Sequence, residues 1–252
     1  MSRLLLTGAL ALLFSSTALG HGGVWNYSIA GDWQPGFFPY YPAEGQSSIQ
    51  RHWIDFGPIT DLSSPSLVCN NPGTSAEEYA TVAAGAQIEA YYRGWPHDIG
   101  PVIVWMAYCG AEPESCAEFD GTDGAHWFKI EQAGLLSGTM LNGVWAQGDM
   151  VANRNSTWSV TIPERLQQGA YLLRHELLAL HVPLTPEFYP ECAHLYVTGT
   201  GDELPGEEHL AAIPGVWQQE DPELHLSIYE EPTSSRTDWE IPGPAVWRGS
   251  GN

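Results

Sequence analysis

Short segments that alternate apolar and polar side chains, each closed by glycine or proline, recur along this chain and leave little room for long helices. Val24–Ile29, Gln87–Tyr91, Val102–Tyr108, Trp158–Ile162, Tyr171–Leu180, Leu195–Thr198 and Leu224–Tyr229 have that form. A period near two places successive side chains on opposite faces of a sheet, whereas a helix needs a period near 3.6 sustained over several turns. With 27 glycines and 19 prolines supplying turns, the segments predict an all-β chain, an immunoglobulin-like or fibronectin-like antiparallel β-sandwich. Asp32–Asp61 and Leu204–Gln219 are too long and irregular for simple turns. Long loops on a rigid sandwich are where binding groups collect.

The N-terminus has a separate logic. Arg3 precedes a largely apolar run from Leu4 to Phe14, and small residues, Ala18 and Gly20, stand at the −3 and −1 positions of a signal-peptidase site. The run is too short to span a bilayer. Met1–Gly20 therefore reads as a secretory signal peptide, and residues 21–252 as a single β-sandwich domain with no carbohydrate-binding module, secreted and extracellular. His21 would then be the first residue of the mature protein.

Charge and cysteine content narrow the partners. Nine Lys and Arg against 30 Asp and Glu give a formal net charge of −21, which repels nucleic acid and anionic membranes and excludes both as partners. Four cysteines in an exported chain read as two disulfides, with three connectivities open. Asn155-Ser156-Thr157 is an N-glycosylation acceptor in an expected loop. Asn26-Tyr27-Ser28 also fits the pattern but lies in the first strand.

Among the histidines, His175-Glu176-Leu177-Leu178-Ala179 begins like a zinc-protease helix, but Ala179 stands where the second histidine belongs. His181 is no substitute, because on a strand it would lie roughly 20 Å from His175. His21 differs in kind. As residue one it offers an α-amine and an imidazole to the same ion, and one further imidazole completes three nitrogens in a plane, an arrangement suited to Cu(II) rather than tetrahedral zinc.

Several blocks, in order along the chain, resemble the auxiliary-activity family 9 lytic polysaccharide monooxygenases. They are His21-Gly-Gly-Val-Trp, Trp95-Pro-His-Asp-Ile-Gly-Pro-Val, His126-Trp-Phe-Lys-Ile-Glu-Gln-Ala-Gly-Leu and Tyr171-Leu-Leu-Arg-His-Glu-Leu-Leu-Ala-Leu-His, followed by Phe188-Tyr-Pro-Glu-Cys, Val197-Thr-Gly and Ile241-Pro-Gly-Pro-Ala-Val-Trp. The resemblance implies one copper ion held by His21, by His97 and, axially, by Tyr189. It also implies a proton-handling histidine at His181, an arginine at Arg174 supporting that network, and disulfides Cys69–Cys192 and Cys109–Cys116. The implied reaction is oxidative cleavage of β-1,4-glucan chains, in cellulose or a related glucan, by hydroxylation at C1 and/or C4. It draws on an external electron donor and O2 or H2O2, in a monomeric enzyme. Trp239 matches a position where relatives carry a surface aromatic, and Trp33, Phe37, Phe38, Tyr40 and Tyr41 could extend that surface or cover the core.

Two positions depart from the family pattern. Asp98 and Ile99 both stand between His97 and Gly100-Pro101, where the family has one residue. The ligand is then His97 on a rearranged loop, or Asp98; imidazole is the better donor to copper in both oxidation states, which favours His97. Glu187 stands where the family has a glutamine. An ionised carboxylate cannot donate a hydrogen bond as an amide does, though it can relay protons. Both departures keep open a secreted copper-binding protein on the same scaffold with little or no oxygenase activity. A lectin-like sandwich with incidental copper is a third reading.

Overall fold

A computed structural model describes residues 22–249; the proposed signal peptide and His21 lie outside the described residues. In chain order the elements are β1 (Gly23–Ile29), β2 (Asp32–Pro35), α1 (Ser66–Cys69), β3 (Ala80–Ala83), β4 (Gln87–Arg93), β5 (Val102–Gly110) and β6 (Ala125–Ala133). They continue with β7 (Leu135–Ser137), β8 (Val144–Trp145), α2 (Ala146–Asn153), β9 (Thr157–Thr161), β10 (Gly169–Ala179), β11 (Glu187–Thr198) and β12 (Ala211–Ala212). One sheet has the order β2-β1-β4-β9 and faces a second of order β12-β6-β5-β10-β11-β3, while β7 and β8 form a small ribbon. This is the expected β-sandwich, with one parallel pair, β11 with β3, in an otherwise antiparallel set.

The larger sheet is buried on both faces. Toward the smaller sheet, Val104, Met106, Tyr171, Leu173, Leu177, Leu195 and Val197 pack against Val24, Tyr27, Ile88, Ala90 and Val160. Behind it, Trp105, Trp127, Leu172, Leu178 and Phe188 pack under α1, the 213–228 segment and Trp239. All 11 residues of β10 are consequently buried, although Arg174 and Glu176 alternate in it as solvent-facing charges would. Two sequence expectations fail for this reason. Leu224–Tyr229 forms no strand; Leu224, Leu226 and Ile228 instead plug the second core from a loop. Trp239 is only 9 % exposed, its indole N–H donating to the Glu223 carbonyl at 3.0 Å and its ring lying edge-on to Trp145. It is a core residue, not a surface platform.

Both disulfides form as expected. Cys69–Cys192 ties α1 to β11, and Cys109–Cys116 closes a short loop after β5. Asn155 is exposed in the turn after α2 with φ of 51°, whereas Asn26 lies within β1 beside the fully buried Tyr27.

Two buried histidines set a pH dependence. His175 lies between the sheets against Tyr27 and Tyr92, with neither ring nitrogen hydrogen-bonded among the described residues, and burial pushes it down to about 3. Burial, helped by the Arg51 guanidinium, likewise lowers His194 to about 3; Arg51 Nε donates to its Nε2 at 3.1 Å. Nearby, burial raises the Glu191 carboxyl to about 8. As pH falls below about 6.5, the unfolded chain takes up two protons that the folded chain refuses, against the one that only the folded Glu191 retains. The metal-free protein should therefore lose up to about 1.4 kcal/mol per pH unit between pH 6.5 and 4.5, or roughly 3–6 °C in Tm. From pH 6.5 to 8 the Glu191 contribution is left alone and reverses the slope. Scanning calorimetry should find a maximum near pH 6–7, and His175→Phe should flatten the acid limb; an acid limb unchanged in that variant would remove the assignment.

Candidate metal centre

Strand register brings the sequence-predicted groups to one end of the sandwich. Gly23, which opens β1, pairs with Arg93, which closes β4, and His97 follows four residues later. Ala179, closing β10, pairs with Glu187, which opens β11, so His181, Glu187 and Tyr189 cluster around that corner. His21 precedes Gly23 by two residues and lies outside the described residues.

The groups are in mutual reach. Ligand atoms of His97, His181 and Glu187 all lie within 4.8 Å of one another. The imidazoles of His97 and His181 stack at 4.0 Å and 21°, and the Tyr189 ring centroid is 6.1 Å from that of His97. The Tyr189 hydroxyl donates to Glu187 Oε2 at 2.9 Å, and His181 Nε2 is 3.7 Å from the same oxygen. Burial first, and the facing Glu187 second, push the Tyr189 phenol far above its ordinary range. It therefore stays a neutral, weak oxygen donor. His181 Nδ1 is buried with no hydrogen-bond partner among the described residues.

The loop carrying His97 is held from behind. Trp95 stands edge-on to both His97 and Tyr189, at 5.0 and 4.8 Å. Its indole N–H donates to Gln147 Oε1 at 3.2 Å, and Gln147 Nε2 donates to the carbonyls of Pro101 and Leu178 at 2.8 and 3.0 Å. Gly100 has φ of 144°, and a Cβ there would fall 2.0 Å from the Leu178 carbonyl, so the chain must be glycine where it re-enters β5. Asp98 leans on α2: its carbonyl oxygen and Cβ lie 3.0 and 3.4 Å from where a Cβ on Gly148 would stand. Its carboxylate is not among the converging ligand atoms. Gln147 was not singled out in the sequence, because its role depends on contacts 52 and 31 residues away.

Arg174 is placed elsewhere. It is fully buried in the second core, pairs with Glu176 at 2.7 Å and donates to the carbonyls of Leu67 and Val68 at the base of α1. Seven residues of nearly extended chain separate it from His181, on the order of 20 Å. It braces α1 beside Cys69–Cys192 and takes no part in the His181 network. His175, inside the sheet core, likewise shares no site with His181.

Exposed aromatics also sort by position. Tyr229, 51 % exposed, donates its hydroxyl to the His181 carbonyl at 3.0 Å and so flanks the histidines. Nothing in its sequence neighbourhood marked it for this place. Tyr40, 55 % exposed, packs on Phe56, which stacks with Trp25 of β1. Trp33, 56 % exposed, aligns with Ser28, five residues along β1 from Gly23 and about 17 Å away at the rise of a strand. Phe37 is buried against His52.

Comparison with known proteins gives the family. The sequence profile of Auxiliary Activity family 9 (formerly GH61) matches residues 21–238. The chain belongs to Auxiliary Activity family 9. It is 47 % identical to AA9 family lytic polysaccharide monooxygenase B of Heterobasidion irregulare, over 97 % of this chain and 98 % of that one. It is 42 % identical to AA9 family lytic polysaccharide monooxygenase D of Thermothelomyces thermophilus, over 96 % of this chain and 94 % of the relative. The crystal structure of HiLPMO9B superposes with a TM-score of 0.85 at 48 % identity, covering 91 % of this chain and all of that one. A cellulose-active polysaccharide monooxygenase from M. thermophila gives 0.82 at 42 % identity, with 91 % of this chain and 100 % of that chain covered. As an AA9 member, this protein is a lytic polysaccharide monooxygenase, an oxidoreductase that cleaves polysaccharide chains oxidatively.

Proposed function

We propose that the mature protein, secreted after removal of Met1–Gly20, would hold one copper ion through the amine and imidazole of His21 and the imidazole of His97, with the Tyr189 hydroxyl as a further oxygen donor. On this reading it oxidises a β-1,4-glucan such as cellulose at C1 and/or C4. The observation that carries the reading is the convergence of His97, His181, Glu187 and Tyr189 at the corner where β1 begins, two residues after His21. The donor set fits: nitrogen ligands with a neutral phenol suit copper in both oxidation states, and Asp98 leans away on α2. Copper bound there supplies one-electron chemistry with O2 or H2O2 after reduction by an external donor.

The protein's own groups do the rest. Trp95 and Gln147 fix the His97 loop, so the imidazole is presented without rearrangement. His181 and Glu187, 3.7 Å apart, are spaced for a proton relay through one intervening water, and the Tyr189 hydroxyl holds Glu187 toward His181. Tyr229 and Tyr40 offer exposed rings on which sugar faces can pack. A monomer with glycan at Asn155 completes the reading.

The test is release of oxidised oligosaccharides from amorphous cellulose by the copper-loaded mature protein, with ascorbate and O2 or H2O2, read by mass spectrometry. One extra residue ahead of His21 should abolish both product and tight copper binding, because the α-amine becomes an amide with no lone pair to give. Glu187 favours one second reading, a copper-binding protein with little activity. Tight copper binding with no oxidised product, and product appearing in Glu187→Gln, would establish that reading instead.

A further inference from the structure

Gly22 and Gly23, the first described residues, are clamped from two sides. A Cβ on Gly22 would lie 2.1 Å from the Arg93 carbonyl oxygen and 2.8 Å from the Trp95 nitrogen, so Gly22 rests directly on the backbone that leads to His97. A Cβ on Gly23 would lie 2.0 Å from Glu191 Oε1 and 2.8 Å from Trp53, so Gly23 rests on a side chain of β11, two residues beyond Tyr189. Glu191 is almost fully buried. Its Oε2 accepts from the Val24 backbone N–H at 2.5 Å and from Gln50 Nε2 at 3.1 Å, and Gln50 Nε2 also reaches the Val24 carbonyl at 3.2 Å. β1 and β11 belong to different sheets, so no backbone ladder joins them. The Glu191–Gln50 bracket makes that link at Val24, three residues along the chain from His21.

From this geometry we propose that Glu191, braced by Gln50 and admitted by Gly22 and Gly23, is a positioning residue that sets the N-terminal amine relative to His97 and Tyr189. The inference rests on the copper reading above. A two-nitrogen chelate at a chain end has free rotation unless the next residues are fixed. Here Gly22 is held against the backbone leading to His97, and the Val24 hydrogen bond holds the start of β1 against the strand of Tyr189. A buried carboxyl at this point costs desolvation that an apolar residue would avoid. Its directional acceptor is what a leucine there would lack.

The test compares Glu191→Ala and Glu191→Gln in mature, full-length protein, with three readouts: copper affinity by calorimetry, the Cu(II) electron paramagnetic resonance spectrum, and hydrogen exchange of the Val24 amide in metal-free protein. Glu191→Ala should speed Val24 exchange, weaken copper by on the order of 10–100-fold and shift the spectrum, as loss of an outer-shell support does. Glu191→Gln, which keeps an oxygen acceptor for Val24, should restore all three. If Glu191→Ala does not fold, Gln50→Ala removes the brace and should shift the same readouts in the same direction. Unchanged affinity and spectrum in Glu191→Ala or Gln50→Ala, or a glutamine variant as impaired as alanine, overturns the positioning role. A wild-type protein that binds no copper tightly overturns the copper reading itself, whatever the exchange at Val24.

Discussion

His97→Ala should lower Cu(II) affinity by several orders of magnitude and reduce the coordinating nitrogens seen by electron paramagnetic resonance from three to two, while Asp98→Ala leaves affinity and spectrum nearly unchanged. The asymmetry follows from two placements. The His97 ring stacks on His181 within the converging donor set, whereas Asp98 is pressed against Gly148 on α2. A loop one residue longer than the family pattern is compatible with this placement, since loop lengthening on a rigid scaffold costs little. The alternative ligand would also change the chemistry, because a carboxylate favours Cu(II) and slows reduction, while imidazole supports both oxidation states. Exchange of the two variants' effects, with a spectrum showing two nitrogens and a carboxylate oxygen, would reverse the assignment and weaken the case for an active oxygenase.

Replacing both Cys69 and Cys192 by alanine should destabilise the protein by about 5 kcal/mol, and replacing Cys109 and Cys116 by only about 2–3 kcal/mol, on the chain-entropy account of crosslinks. The difference comes from loop length: the first bond spans 123 residues of sequence and the second only 7. For a domain of this size the first loss corresponds to roughly 10–20 °C in Tm. It should also reach the metal centre. Cys192 adjoins Glu191 and follows Tyr189 by three residues, and its partner sits on α1, whose carbonyls bind Arg174. Calorimetry of the two double variants, with copper titration of each, would check both statements. Equal losses of stability, or a larger copper defect in the Cys109/Cys116 variant, would count against the account.

Much of the site was legible because it is local in sequence. His97 is marked by its neighbours Trp95 and Gly100-Pro101, and Glu187 and Tyr189 are separated by one residue on a strand, which puts them on the same face. Strands β1, β4, β5, β9 and β10 announced themselves by period and turn residues. Tyr229 and Gln147 were not legible, since each acts through a partner 31 to 52 residues away that periodicity does not encode. Arg174 misled for a related reason: a charge alternating in a strand looks the same whether it faces water, a site or a second core. Trp239 misled because an aromatic near a proline-rich tail carries no sign of its burial.

The sequence by itself determined the all-β class, the family and the four cysteines that pair. All of these are written in short-range patterns that survive without knowledge of packing. The tertiary structure decided that the larger sheet is covered on both faces, which turned Arg174 and Trp239 into core residues and made Leu224–Tyr229 a plug. It also decided that Asp98 leans on α2 while His97 faces His181, and that Glu191 reaches across the sandwich to Val24. Those outcomes depend on which surfaces meet when distant segments pack, and such pairings are fixed by shape and burial across the whole fold.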